Sequence, residues 1–263
     1  ANAYGVVDRS NTLATINNTG YIRAETIATD DNFDDDITPV ATGSRVAIDV
    51  SASSINVVVN QTPDVVFNDD DSTDNDSGSR PQVRIEGDIR FGSGSDTLNL
   101  LAGAMIGSVD FGGGGANVFN LNGGAAFVGR IGNAGGLTMN IVDGTLPVDG
   151  GTTNFTSAHF HSDSVLSVLL SENIAESTHL VASGTVTFDA GSLVTPVIPR
   201  GLPLSGSTVF LTANGGLIGA SNVERTVSGA GSSYLYNTAV AVAAGDPNSL
   251  EARYILKTTS ELG

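Results

Sequence analysis

Three short phrases recur in step through the middle of the chain: Thr97-Leu98-Asn99-Leu100, Val118-Phe119-Asn120-Leu121 and Thr138-Met139-Asn140-Ile141. Their asparagines are almost evenly spaced, and each phrase is soon followed by a glycine (Gly103, Gly123, Gly144). A second frame keeps the same step: Gly87-Asp88-Ile89, Gly107-Ser108-Val109 and Gly129-Arg130-Ile131. Phe91-Gly92 and Phe111-Gly112 extend its first two copies. Two strand-like patterns sharing a period of about 20 residues mean a solenoid, in which each repeat is one coil stacked on the last. Leucine-rich repeats have a similar period, but their regular leucine signature is missing.

Neighbouring side chains of a strand point to opposite faces. The pattern therefore predicts Leu98 and Leu100, Phe119 and Leu121, and Met139 and Ile141 inside. Asn99, Asn120 and Asn140 then form an outer ladder with rungs about 4.8 Å apart. The glycines mark corners that need positive φ or close backbone approach. Alternating runs at Arg45–Val50, Ile55–Asn60, Thr185–Asp189, Thr208–Ala213 and Ala252–Lys257 also read as strands. Val165–Glu176 reads as strand running into a polar turn, and no stretch reads as a convincing helix.

Upstream, Leu13–Arg23 and Ser44–Gln61 read as less regular coils. Two acidic insertions interrupt them, Thr29–Asp36 with five aspartates and Asp64–Asp76 with six, together 11 of the 28 acids. Such runs are solvated loops outside the core. After about Thr152 the period fades, and two proline-containing turns follow, Pro196–Pro203 and Asp246-Pro247. The expectation is an all-β, right-handed parallel β-helix, a single-stranded solenoid of about 20–22 residues per coil, with a C-terminal β-rich cap. Residues 1–157 form the coils and residues 158–263 the capping module, with the boundary near Asn154–Ser157. The cap covers an edge that otherwise offers unpaired backbone to other chains.

Composition narrows the function. Acids outnumber bases 28 to 11 in 263 residues, a net charge of −17, and the bases are scattered, which argues against general nucleic-acid binding. The absence of cysteine rules out disulfides and cysteine metal sites, and suits a chain that crosses an oxidising compartment. Polar and glycine interruptions exclude a transmembrane helix. Ala1–Gly5 lacks the features of a signal peptide, so the chain reads as a mature form or an excised piece.

The chain resembles the passenger of a bacterial autotransporter, the type V secretion system. Thr15-Ile-Asn-Asn-Thr-Gly-Tyr-Ile-Arg23 and Ala47-Ile-Asp-Val-Ser51 are similar to coils of many such passengers, and Phe91–Leu100 to phrases in their last coils. Gly206–Ala213 and Tyr254–Lys257 through Glu261–Gly263 look like the pertactin-like autochaperone region. The resemblance implies a non-enzymatic stalk on the cell surface, anchored to the outer membrane. Its partner is its own translocator β-barrel, absent from this chain, and its C-terminal module folds first and templates the coils. A cell-surface or self-association partner is compatible with it. The family also hosts proteases, lipases, adhesins and toxins.

Four patterns bear on chemistry. Phe91–Asn99 nearly matches a calcium-binding nonapeptide through Gly92, Gly94, Asp96 and Leu98, but close tandem copies are missing and the next coil offers Asn117. A structural turn is the favoured reading. The Asp69–Asp76 run lacks the fixed glycine and terminal glutamate of an EF-hand loop. His159-Phe-His161-Ser-Asp163 places two imidazoles and a carboxylate on one strand as a conceivable zinc half-site, with His179 the only other histidine. Exposed strand histidines are the favoured reading there, so no catalytic, metal or cofactor residue is assigned. Polysaccharide cleavage on a β-helix needs basic residues on one face, and Arg84, Arg90, Arg130 and Lys257 offer little against a charge of −17. An adhesin binding through exposed loops is the other alternative.

Overall fold

A computed structural model describes residues 2–26, 42–63, 83–148, 150–198, 201–227 and 235–262. The acidic insertions Thr29–Asp36 and Asp64–Asp76 lie outside the described residues.

Short strands separated by glycine- and asparagine-rich corners stack in parallel into three columns. The first column is a five-stranded sheet running Ala3–Val7, Arg45–Asp49, Asp88–Arg90, Val109–Asp110, Ile131–Gly132. The second runs Thr15–Asn18, Val58–Gln61, Thr97–Leu100, Asn117–Leu121 into Leu137–Val148. The third runs Tyr21–Arg23, Arg84–Glu86, Ala104–Ile106, Ala126–Val128 and joins the same long strand. One strand from each column makes a coil, so the chain is a parallel β-solenoid.

The register matches the sequence repeat. Thr97–Leu100 pairs residue for residue with Val118–Leu121, and these with Thr138–Ile141. Ile89, Val109 and Ile131 are likewise in register in the first column. Leu98, Leu100, Phe119, Leu121, Met139 and Ile141 are buried, as are Ile85, Met105 and Phe127 from the third column. Phe91 stacks on Phe111 with ring centroids 5.3 Å apart, and Phe160 on Phe188 at 4.9 Å. Like side chains fall on like because the coils repeat, so the core is a set of ladders. Gly103, Gly123 and Gly144 have φ of 66°, 65° and 87°, the left-handed corners that glycine tolerates.

Two coils precede those visible in the repeat. Asn17 and Asn60 occupy the ladder position, with Asn60 in register with Asn99. Thr15–Arg23 and Ala47–Ser51 each run from a strand into a corner of these coils. Asn18 Oδ1 accepts from the Gly20 N–H at 3.1 Å, and Asp49 Oδ1 accepts from the Ser51 N–H at 3.2 Å. Asn and Asp favour such bends because their short side chains bond backbone two residues on.

The change near residue 157 is one of coil length, with no break in pairing. Leu137–Val148 pairs in parallel with Ser157–Leu169, which pairs with Thr185–Phe188 and Leu193–Val197. Met139 is in register with Ala158, Ala158 with Val186, and Val186 with Leu217, so each of the last two steps is longer than the one before. Among the described residues, antiparallel pairing begins with Ser205–Ala213. That strand is parallel to Thr178–Ala182 on one side and antiparallel to Asp246–Leu256 on the other. Tyr236–Ala243 and Arg225–Val227 follow at one end of this six-stranded sheet, and Gly151–Phe155, parallel to Thr178–Ala182, lies at the other. Pro196, expected in a turn, is instead the partner of Val168, inside Leu193–Val197. Among the described residues that strand lies at an edge and pairs only with Ser157–Leu169, so the missing proline N–H leaves no ladder bond unmade.

Candidate functional site

The second column carries its polar ladder on the outside. Asn60 Nδ2 donates to Asn17 Oδ1 at 2.8 Å, Asn99 Nδ2 to Asn60 Oδ1 at 2.7 Å, and Asn120 Nδ2 to Asn99 Oδ1 at 2.7 Å. Every bond runs the same way: each amide nitrogen donates toward the chain start, leaving its own oxygen for the next rung. Asn140 is the following rung, and its Oδ1 meets His161 Nε2 at 2.9 Å. The side chain at the ladder's next register position thus meets a histidine.

His159 and His161 both project outward from Ser157–Leu169 on either side of buried Phe160, with ring centroids 3.8 Å apart. The carboxylate that meets them is Asp189, one coil further on. Its backbone N–H donates to Phe160 O at 2.9 Å, continuing the pairing of Phe160 with Phe188. Its oxygens reach the two rings separately: Oδ1 lies 3.0 Å from His159 Nε2 and Oδ2 lies 3.1 Å from His161 Nδ1. All three side chains are partly exposed. The His159 hydrogen bond, then the charge of the neighbouring rings, holds the Asp189 carboxyl below the usual range.

Asp163, grouped with these histidines on sequence, is not part of the cluster. The strand bulges after Phe160, so that Asp163 pairs with Asp143 beyond the corner. His179 lies on another sheet, in register with Thr152. Asp189 escaped the sequence reading because it follows the first widened coil, where the repeat spacing no longer points to it.

Asp96 serves the fold. It is fully buried at a corner, where its Oδ1 accepts the Val57 N–H at 2.8 Å. Its own N–H donates to Asn117 Oδ1 at 2.7 Å, so stacked corners cap one another. Asn117 Nδ2 also donates to Phe111 O at 3.4 Å, whereas Asp96 Oδ2 is buried with no partner among the described residues. Burial pushes the Asp96 carboxyl up, partly offset by the Val57 N–H. A raised native pKa means that this group's contribution is complete in acid, below the ordinary value of about 3.9, and is lost as pH rises through the native value. Asp96→Asn keeps the acceptor and removes the buried charge. It is expected to raise stability by about 1–2 kcal/mol at pH 7, with the gain shrinking toward pH 4. Urea midpoints at both pH values measure this. An equal loss at pH 7 and pH 4 would instead measure the unpartnered Asn amide at the buried Oδ2 position.

Arg84 and Arg90 do not share a basic face. Arg84 is in the third column, Arg90 in the first, and Arg84 is engaged by Glu86 at 2.8 Å. Arg23 adds contacts to Glu25 at 2.6 Å and Glu86 at 3.3 Å, so this cleft between coils is lined by paired charges. No protein-family model matches the chain, and neither a curated protein nor a solved structure matches it.

Proposed function

We propose that this chain is part of a bacterial autotransporter passenger: a β-helical stalk displayed outside the cell whose C-terminal module folds first and templates the coils before it. Its role is mechanical, holding other parts of the passenger away from the membrane, and its partner is the translocator barrel. The observation that carries the reading is the double pairing of Ser205–Ala213, which joins the last parallel coil to an antiparallel hairpin. Tyr236–Ala243 and Asp246–Leu256 are joined through Ala244-Gly245 and close through local contacts. A parallel coil has no such local closure, because its partner lies about 20 residues or more away and must already be in place. A hairpin that forms early and presents an edge parallel to the preceding coil is what a folding template requires. The absence of cysteine and the polar outer ladder fit secretion as an unfolded chain followed by assembly in water.

Two equivalent core truncations in the full chain test the order of folding. Leu250 lies in the hairpin and Leu98 in a coil, and both are fully buried. Each alanine variant is expected to cost about 2–5 kcal/mol. Leu250→Ala should express most of its cost as slower refolding, and Leu98→Ala most of its cost as faster unfolding. The opposite partition in stopped-flow kinetics would reject the template role.

A further inference from the structure

We infer that His159, His161 and Asp189 form a binding site for a divalent transition metal, zinc above all, that ties two successive coils together. The ligand atoms converge: one nitrogen from each ring and one carboxylate oxygen of Asp189 lie within 4.8 Å of one another. The two nitrogen–oxygen separations are 3.0 and 3.1 Å. Tetrahedral zinc with bonds of about 2.0–2.1 Å sets its ligands about 3.3 Å apart, so side-chain rotations that tilt the two stacked rings away from each other bring both lone pairs onto one ion. The backbone beneath is fixed, since both strands are paired in register over the Phe160–Phe188 stack.

The polar ladder adds a second, independent pointer. His161 Nε2 faces Asn140 Oδ1 at 2.9 Å, which leaves Nδ1 as the nitrogen turned toward Asp189 Oδ2 at 3.1 Å. A histidine whose far nitrogen donates to a carbonyl oxygen is also how metal-binding imidazoles are oriented, which gives Asn140 the supporting role. Two imidazoles and one carboxylate suit zinc, copper or nickel, whereas calcium and magnesium want more oxygens. The cluster's partial exposure leaves the remaining position to water. The site sits where the coils begin to lengthen, and an ion there fastens the first widened coil to the last regular one.

The test is zinc titration of the full chain in excess calcium and magnesium, which compete for sites made of carboxylates alone. One zinc per chain is expected, with the ring resonances of His159 and His161 shifting and those of His179 unmoved. His161→Gln and Asp189→Asn should each weaken binding at least ~10-fold and abolish the zinc-dependent rise in melting temperature, while His179→Gln leaves both unchanged. Absence of binding, binding that survives Asp189→Asn, or a shift of His179 alone would overturn the assignment. If a variant fails to fold, the ring resonances of the unsubstituted chain decide the matter by themselves.

Discussion

Gly103→Ala is expected to cost about 3 kcal/mol or more and to open the coil it closes. Gly103 turns the corner after Thr97–Leu100 with φ of 66°, where a side chain is strained by about 1–2 kcal/mol before any contact. A Cβ there would also stand 1.8 Å from Val83 O, a backbone atom that cannot swing aside. Gly124 is the control, since its φ is 68° but nothing lies within 4 Å of the Cβ position. Gly124→Ala should therefore show only the conformational cost, about 1–2 kcal/mol. Urea unfolding of the two variants separates strain from collision. Equal losses would show that the coils do not approach as closely as these distances require.

Phe111→Ala is expected to lose about 3–5 kcal/mol. Phe111 is fully buried and lies nearly parallel to Phe91, with an interplanar angle of 12°. Truncation removes its transfer free energy and leaves a gap between stacked coils that can collapse only if both neighbours move. Ile106 is the contrast: it points outward from Ala104–Ile106 and is 37% exposed. Ile106→Ala should cost about 1 kcal/mol or less. A similar loss from both would contradict the inward and outward assignment of the coil faces.

The middle coils were legible because nothing interrupts them. With Asn99, Asn120 and Asn140 almost evenly spaced, face, ladder and corner glycines follow from strand alternation alone. The first two coils obey the same rule, but Asn17, Asn60 and Asn99 stand about twice as far apart in sequence, because the insertions between strands stretch the period without altering the register. Pro196 misled because proline usually punctuates, and only an edge strand can accommodate it. At the histidine cluster the strand carrying both rings was visible, but its carboxylate was not. Asp163 is close in sequence and lies around the corner, while Asp189 is far from His159 in sequence and reaches it from the neighbouring strand at 3.0 Å. Distance along a solenoid is measured in coils, so a change in coil length hides a neighbour that stacking makes adjacent.

Order of folding is the claim on which the proposed role rests, and pulsed hydrogen exchange during refolding of the full chain reads it directly. Amides bonded between Tyr236–Ala243 and Asp246–Leu256 should gain protection first. Those of Thr178–Ala182 should follow, and those of Thr97–Leu100 and Val58–Gln61 should come last. Protection that arises first in the coils, or everywhere at once, would contradict the account and leave the C-terminal sheet a simple end cap.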